Sequence, residues 1–108
     1  MGPPQPVLRI VSEFRRALER QFGTIDHVIV FGSQARGDTH EDSDVDVIVV
    51  SRAFRGMNSL LRSAEARRSW TRHVPVDILC YTPEEFAELS QRFSLVSEAL
   101  REGTEVEA

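Results

Sequence analysis

Between His27 and Val50 the chain carries His27-Val28-Ile29-Val30-Phe31, then Gly32-Ser33-Gln34-Ala35-Arg36-Gly37, and then Ser43-Asp44-Val45-Asp46-Val47-Ile48-Val49-Val50. Two apolar, β-branched runs of strand length, 27–31 and 45–50, bracket a polar, Gly-containing segment. The second run ends in an unbroken Val47-Ile48-Val49-Val50, the pattern of a strand covered on both faces and central to a sheet. Only about a dozen residues part the two strands, which suits a compact loop or short helix better than a full parallel crossover.

On the N-terminal side, Val7, Ile10, Val11, Phe14, Leu18 and Phe22 recur at helical spacing, with Gly23 placed to end the helix. On the C-terminal side, Arg52 to Asn58 reads as a loop and Ser59 to His73 as a helix. Leu60, Leu61, Ala64 and Trp70 are its expected anchors, and Arg62, Arg67, Arg68 and Arg72 its expected solvated face. Val74 to Tyr81 reads as a third strand. Thr82-Pro83-Glu84-Glu85 then opens a helix with an N-cap, a first-turn proline and acids near the positive end of the dipole. Ser94 to Glu102 forms a further helix closed by Gly103. The predicted fold is α/β (α+β), a three-stranded mixed sheet packed with about four helices. Residues 7–103 form its single domain, preceded by a disordered lead (1–6) and followed by a frayed tail (104–108).

At 108 residues, 41% hydrophobic and 28% charged, the chain is sized for one soluble domain with one core. That leaves no room for a separate acceptor-binding domain. A net charge of −4 argues against sequence-independent nucleic-acid binding, which relies on neutralising many phosphates. The basic residues are arginines, a skew that genomic base composition explains as well as anion binding does. The single Cys80 reads as a buried small hydrophobe. Neither a membrane-length apolar run nor a secretory pattern is present, so a cytoplasmic location is expected.

Asp44 and Asp46 stand two apart where a core strand opens, so side-chain alternation sends both to one face. Carboxylates crowded beside an apolar strand repel and are costly to desolvate unless a cation neutralises them, and magnesium is the natural partner. Asp77, isolated in the apolar Pro75-Val76-Asp77-Ile78-Leu79, completes a carboxylate triad if its strand lies beside the second. The alternative is that Asp77 caps a loop or pairs with an arginine such as Arg72. Gly32 allows close backbone approach to a phosphate, Ser33 can open a short helix with free N–H groups, and Arg36 adds positive charge. An ordinary Gly-containing turn would account for that segment alone. His40, Glu41 and Asp42 are expected to form a solvated loop rather than further ligands, and His27 and His73 to have no catalytic role.

Together, Gly32-Ser33-Gln34-Ala35-Arg36-Gly37 and Ser43-Asp44-Val45-Asp46, with a third Asp on a later strand, resemble the nucleotidyltransferases of the DNA polymerase beta superfamily. The likeness is greatest to the stand-alone minimal nucleotidyltransferases. The resemblance implies that Gly32 and Ser33 contact a triphosphate, that Arg36 helps to neutralise it, and that Asp44 and Asp46 bind two magnesium ions. It also implies that Asp77 binds the catalytic ion and assists deprotonation of the acceptor. The donor would be ATP, transferring AMP to a protein. The partner would be a helical HEPN-domain protein, a toxin-like ribonuclease that such enzymes modify and bind as antitoxins. Aminoglycoside-type modification of a small molecule and masking of a partner without turnover are the alternatives. The base, the acceptor residue and the homo- or hetero-oligomeric state stay open.

Overall fold

A computed structural model describes residues 3–32, 44–92 and 94–107. Helix α1 (Gln5–Phe22) leads to strand β1 (His27–Phe31), and strand β2 (Val45–Val50) is followed by a 3₁₀ turn (Arg52–Phe54). Helix α2 (Ser59–Arg67), strand β3 (Val76–Tyr81), helices α3 (Pro83–Ser90) and α4 (Leu95–Glu102), and strand β4 (Thr104–Glu105) complete the chain.

The sheet order is β3-β2-β1-β4. β1 runs antiparallel to both β2 and β4, whereas β2 and β3 are parallel, joined by the α2 crossover. The mixed α+β architecture is the expected one, with one strand more. β2 is central, and alternation along it feeds two cores. Val45, Val47 and Val49 face Val11, Phe14 and Leu18 of α1 together with Ala66 of α2. Ile48 and Val50 face Val96 and Ala99 of α4 and, more peripherally, Phe86 and Leu89 of α3. Trp70 belongs to the first layer: its ring meets Phe14 edge-on at 5.1 Å, and its indole N–H donates to the Val74 carbonyl at 2.9 Å.

Within the described residues, the segments near both ends carry more regular structure than the sequence suggests. α1 begins at Gln5 rather than Val7, because Pro4 supplies the carbonyl accepting from the Val7 and Leu8 N–H groups. The tail expected to fray instead pairs with β1. Val106 is buried and donates its N–H to Val28 O at 2.8 Å, and the buried Arg15 guanidinium donates to Val106 O and Ile25 O at 3.1 and 3.0 Å. Gly103 makes this return possible, since a Cβ there would lie 2.8 Å from Ile29 Cγ2 and 2.9 Å from Val30 O. These long-range partners are invisible to local pattern.

The helix expected over residues 59–73 also differs in its phase. α2 stops at Arg67, where the chain tightens into successive turns that bring Trp70 onto Phe14. Leu60, Leu61 and Ala64 point outward, with Leu60 81% exposed, while the arginine expected in solvent, Arg62, is buried. Arg62 can go inside because its guanidinium donates to Met57 O at 2.8 Å, to Cys80 O at 3.4 Å and to the Glu85 carboxylate at 2.6 Å.

Candidate functional site

The parallel register of β2 and β3 sets Asp46 directly opposite Asp77, and the antiparallel register of β1 sets Phe31 opposite Asp46 on its other side. Asp44 stands one residue ahead of β2 and is exposed. The acids therefore gather where β1 ends and β2 and β3 begin. They lie beyond the apolar patch that α3 and α4 cover on the same sheet face.

Gly32 closes this corner from β1. Its φ of +75° lies in the left-handed region, and a Cβ there would fall on the Asp46 carboxylate oxygen Oδ2. Glycine is thus required twice, for the turn and for the space that Asp46 occupies. The sequence suggested close approach to a phosphate; the packing against Asp46 needed the register to be seen.

Partial burial raises the Asp46 carboxyl above the ordinary carboxylate range, and the charges of Asp77 and Asp44 add to that effect. Arg72, the arginine named as an alternative partner for Asp77, pairs with Glu13 of α1. Asp77 remains exposed beside Asp46.

Among the described residues, no three His, Cys, Asp or Glu side chains form a ready-made metal cage. The arrangement is an in-register carboxylate pair with Asp44 at its mouth. This donor set fits a hard divalent cation that takes its remaining ligands from phosphate and water, as magnesium does. Ser33 and Arg36, the expected phosphate contacts, lie outside the described residues.

Cys80 is buried, and burial pushes its thiol up to about 12, consistent with a packing role. The His27 imidazole contacts the Glu105 carboxylate of β4 at 3.0 Å, away from the acids. Among the described residues no helix is long and apolar enough to cross a membrane.

The family model described as nucleotidyltransferase domain matches residues 11–106. Two proteins of Methanocaldococcus jannaschii, both provisionally named protein adenylyltransferases, are 44% identical over 43 residues and 42% identical over 45 residues. Those matches span 39% and 41% of this chain, and 43% and 46% of the relatives, so less than half of each curated relative is matched. A crystal structure from Sulfolobus solfataricus, provisionally titled a nucleotidyltransferase, superposes with a TM-score of 0.64 at 28% identity. It covers 77% of this chain and 73% of its own.

Proposed function

The chain belongs to the nucleotidyltransferase domain family, and from that premise we propose that it transfers AMP from ATP to a protein acceptor. The observation that carries this reading is the in-register Asp46–Asp77 pair beside Gly32, a corner of negative charge that is unfavourable until a cation and a triphosphate enter it. The provisional names of the two archaeal relatives support a protein as the acceptor.

In this reading Gly32, Ser33 and Arg36 hold the triphosphate, and Asp44, Asp46 and Asp77 hold two magnesium ions. The ions, when bound, supply charge neutralisation at the phosphates. Asp77, on the strand farther from Gly32, faces the acceptor and helps remove its hydroxyl proton. The acceptor oxygen forms a bond to the α-phosphorus in line with the departing pyrophosphate. The remaining contribution of the protein is positioning. We further propose a helical HEPN-type toxin as the acceptor protein, with this chain acting as its antitoxin, on the resemblance to minimal nucleotidyltransferases.

The test mixes the protein, magnesium, labelled ATP and the protein that co-purifies with it, and looks for covalent label on that partner. The parent should label it, and Asp77→Asn should not while still binding nucleotide. A partner neutralised without label from any triphosphate would replace the enzyme with a binding module.

A further inference from the structure

Helix α1 and the turns that follow α2 border a cleft of about 320 Å³. α1 packs on Val45, Val47 and Val49, so side-chain alternation along β2 and β3 puts this cleft on the sheet face opposite Asp46 and Asp77. Ile10, Phe14 and Trp70 give it an apolar floor, and the Trp70 ring is held in place by its edge contact with Phe14 and its N–H on Val74 O. Clefts of this size, with an apolar floor and a few convergent polar groups, are where small molecules bind.

The convergent polar groups are arginines. Arg72 pairs with Glu13 across the cleft, and that contact holds the Glu13 carboxyl below its ordinary value. Arg16 and Arg20 also line the cleft, one turn apart on α1; both are exposed, and among the described residues neither takes a hydrogen bond or an ion pair. The acids one turn from Arg16 are engaged elsewhere, Glu13 with Arg72 and Glu19 with Arg15 at 3.5 Å. Like charges at this spacing destabilise a helix. The negative end of the helix dipole favours a cation in the last turn, which accounts for Arg20 but not for Arg16 a turn before it. Two cationic side chains without a protein partner thus border an apolar floor, in a chain of net charge −4.

We propose that this cleft is an anion site separate from the carboxylate corner, and that it takes a phosphate monoester carried on a flat ring, the chemistry of a nucleoside monophosphate. The two guanidinium charges of Arg16 and Arg20 match a phosphate dianion, and their forked donors suit its oxygens. The ring lies on the apolar floor beside Trp70. The corner across the sheet is negative and needs a metal before it can accept a phosphate, whereas this cleft is already positive and needs none. Binding here is therefore independent of divalent cation and of the transferase reading.

Trp70 is the single tryptophan of the chain, so its fluorescence reports on the cleft. AMP titrated in the presence of a chelator should change that emission and shift the amides of residues 10–20 and 69–72 in nitrogen-15-labelled protein. Adenosine and inorganic phosphate should each bind more weakly than AMP. Arg16→Gln and Arg20→Gln should each weaken AMP about tenfold, the loss of one charge-assisted contact at an exposed position. Each change removes one of two neighbouring like charges on the surface, so the variants should keep the urea midpoint of the parent. Asp46→Asn should leave AMP binding in chelator unchanged. No response to AMP, an equal response to adenosine, or indifference to both arginine changes overturns the proposal. So does loss of the response in Asp46→Asn, which would put the nucleotide in the carboxylate corner. Tighter binding of a glutamate-rich peptide than of AMP also overturns it and would make the cleft a protein-docking surface.

Discussion

At the scale of single residues, the carboxylate corner costs the metal-free fold stability. Asp46 has its carboxyl raised by burial first and by the charges of Asp77 and Asp44 second. The folded state thus holds the Asp46 proton more tightly than the unfolded chain does, and stability falls as pH rises from the ordinary carboxylate range through the raised value. Above that window the penalty is constant, and below it the penalty vanishes. Asp46→Asn should therefore raise the melting temperature of the metal-free protein at neutral pH and lose that advantage in acid, and, under the proposed function, magnesium with ATP should stabilise the parent but not this variant. An Asn variant no more stable than the parent at neutral pH would mean that repulsion is not what Asp46 experiences. Gly32→Ala tests the same corner from the other side. A left-handed non-glycine residue costs about 1–2 kcal/mol before the clash with Asp46 Oδ2 is added. The variant should unfold at lower denaturant and bind nucleotide poorly, with the double variant Gly32→Ala, Asp46→Ala recovering part of the stability but none of the binding. The motif made these residues visible in the sequence. Their spatial meaning, with Asp46 opposite Asp77 and Gly32 against its carboxylate, depended on strand register, which no local pattern encodes.

At the scale of elements, α2 and α3 are joined by the ion pair of Arg62 and Glu85, and Glu85 also closes the capping box with Thr82. The Arg62 guanidinium holds the Glu85 carboxyl below its ordinary value. The Glu85 contribution is therefore present above the unfolded-state carboxylate range and lost as pH falls through the lowered value. Arg62→Ala should destabilise by about 2–4 kcal/mol, since it strands the Met57 and Cys80 carbonyls and removes the partner of Glu85. Arg62→Met, which keeps the volume but not the donors, should recover only part of that loss in urea unfolding. A full recovery would make packing, and not hydrogen bonding, the role of Arg62. Here the sequence misled for a physical reason. Hydrophobicity set Leu60 and Leu61 inside, but the phase of α2 follows from side chains that serve the β3 edge, namely Arg62, Ser63 and Arg67. Where local signals carried their own mechanism, as in the β-branched runs of β1 and β2 or the Thr82-Pro83 helix start, element type and placement were legible.

At the scale of the whole molecule, the first and last segments are parts of one structure. Arg15 in α1 reaches the Ile25 and Val106 carbonyls, and its guanidinium lies within 3.8 and 3.9 Å of the Glu105 and Glu107 carboxylates. β4 covers the outer edge of β1, and Val106 fills the α1 side of the sheet. A domain of this size has a total stability of about 5–15 kcal/mol, so a few such contacts are a large share of it. Val106→Ala should cost about 2 kcal/mol, from lost burial and the cavity left behind. Deleting residues 104–108 should cost more, because it also removes the acceptor of Arg15 and exposes β1 as a bare edge beside the site. Urea unfolding measures both, and hydrogen exchange locates the effect. Loss of the tail should lower protection in α1 and β1 together, since both lean on Glu105 and Val106. If the deletion lowered the urea midpoint no further than Val106→Ala and left α1 protection intact, the tail would be an appendage and the chain ends would not form one cooperative unit with the carboxylate corner.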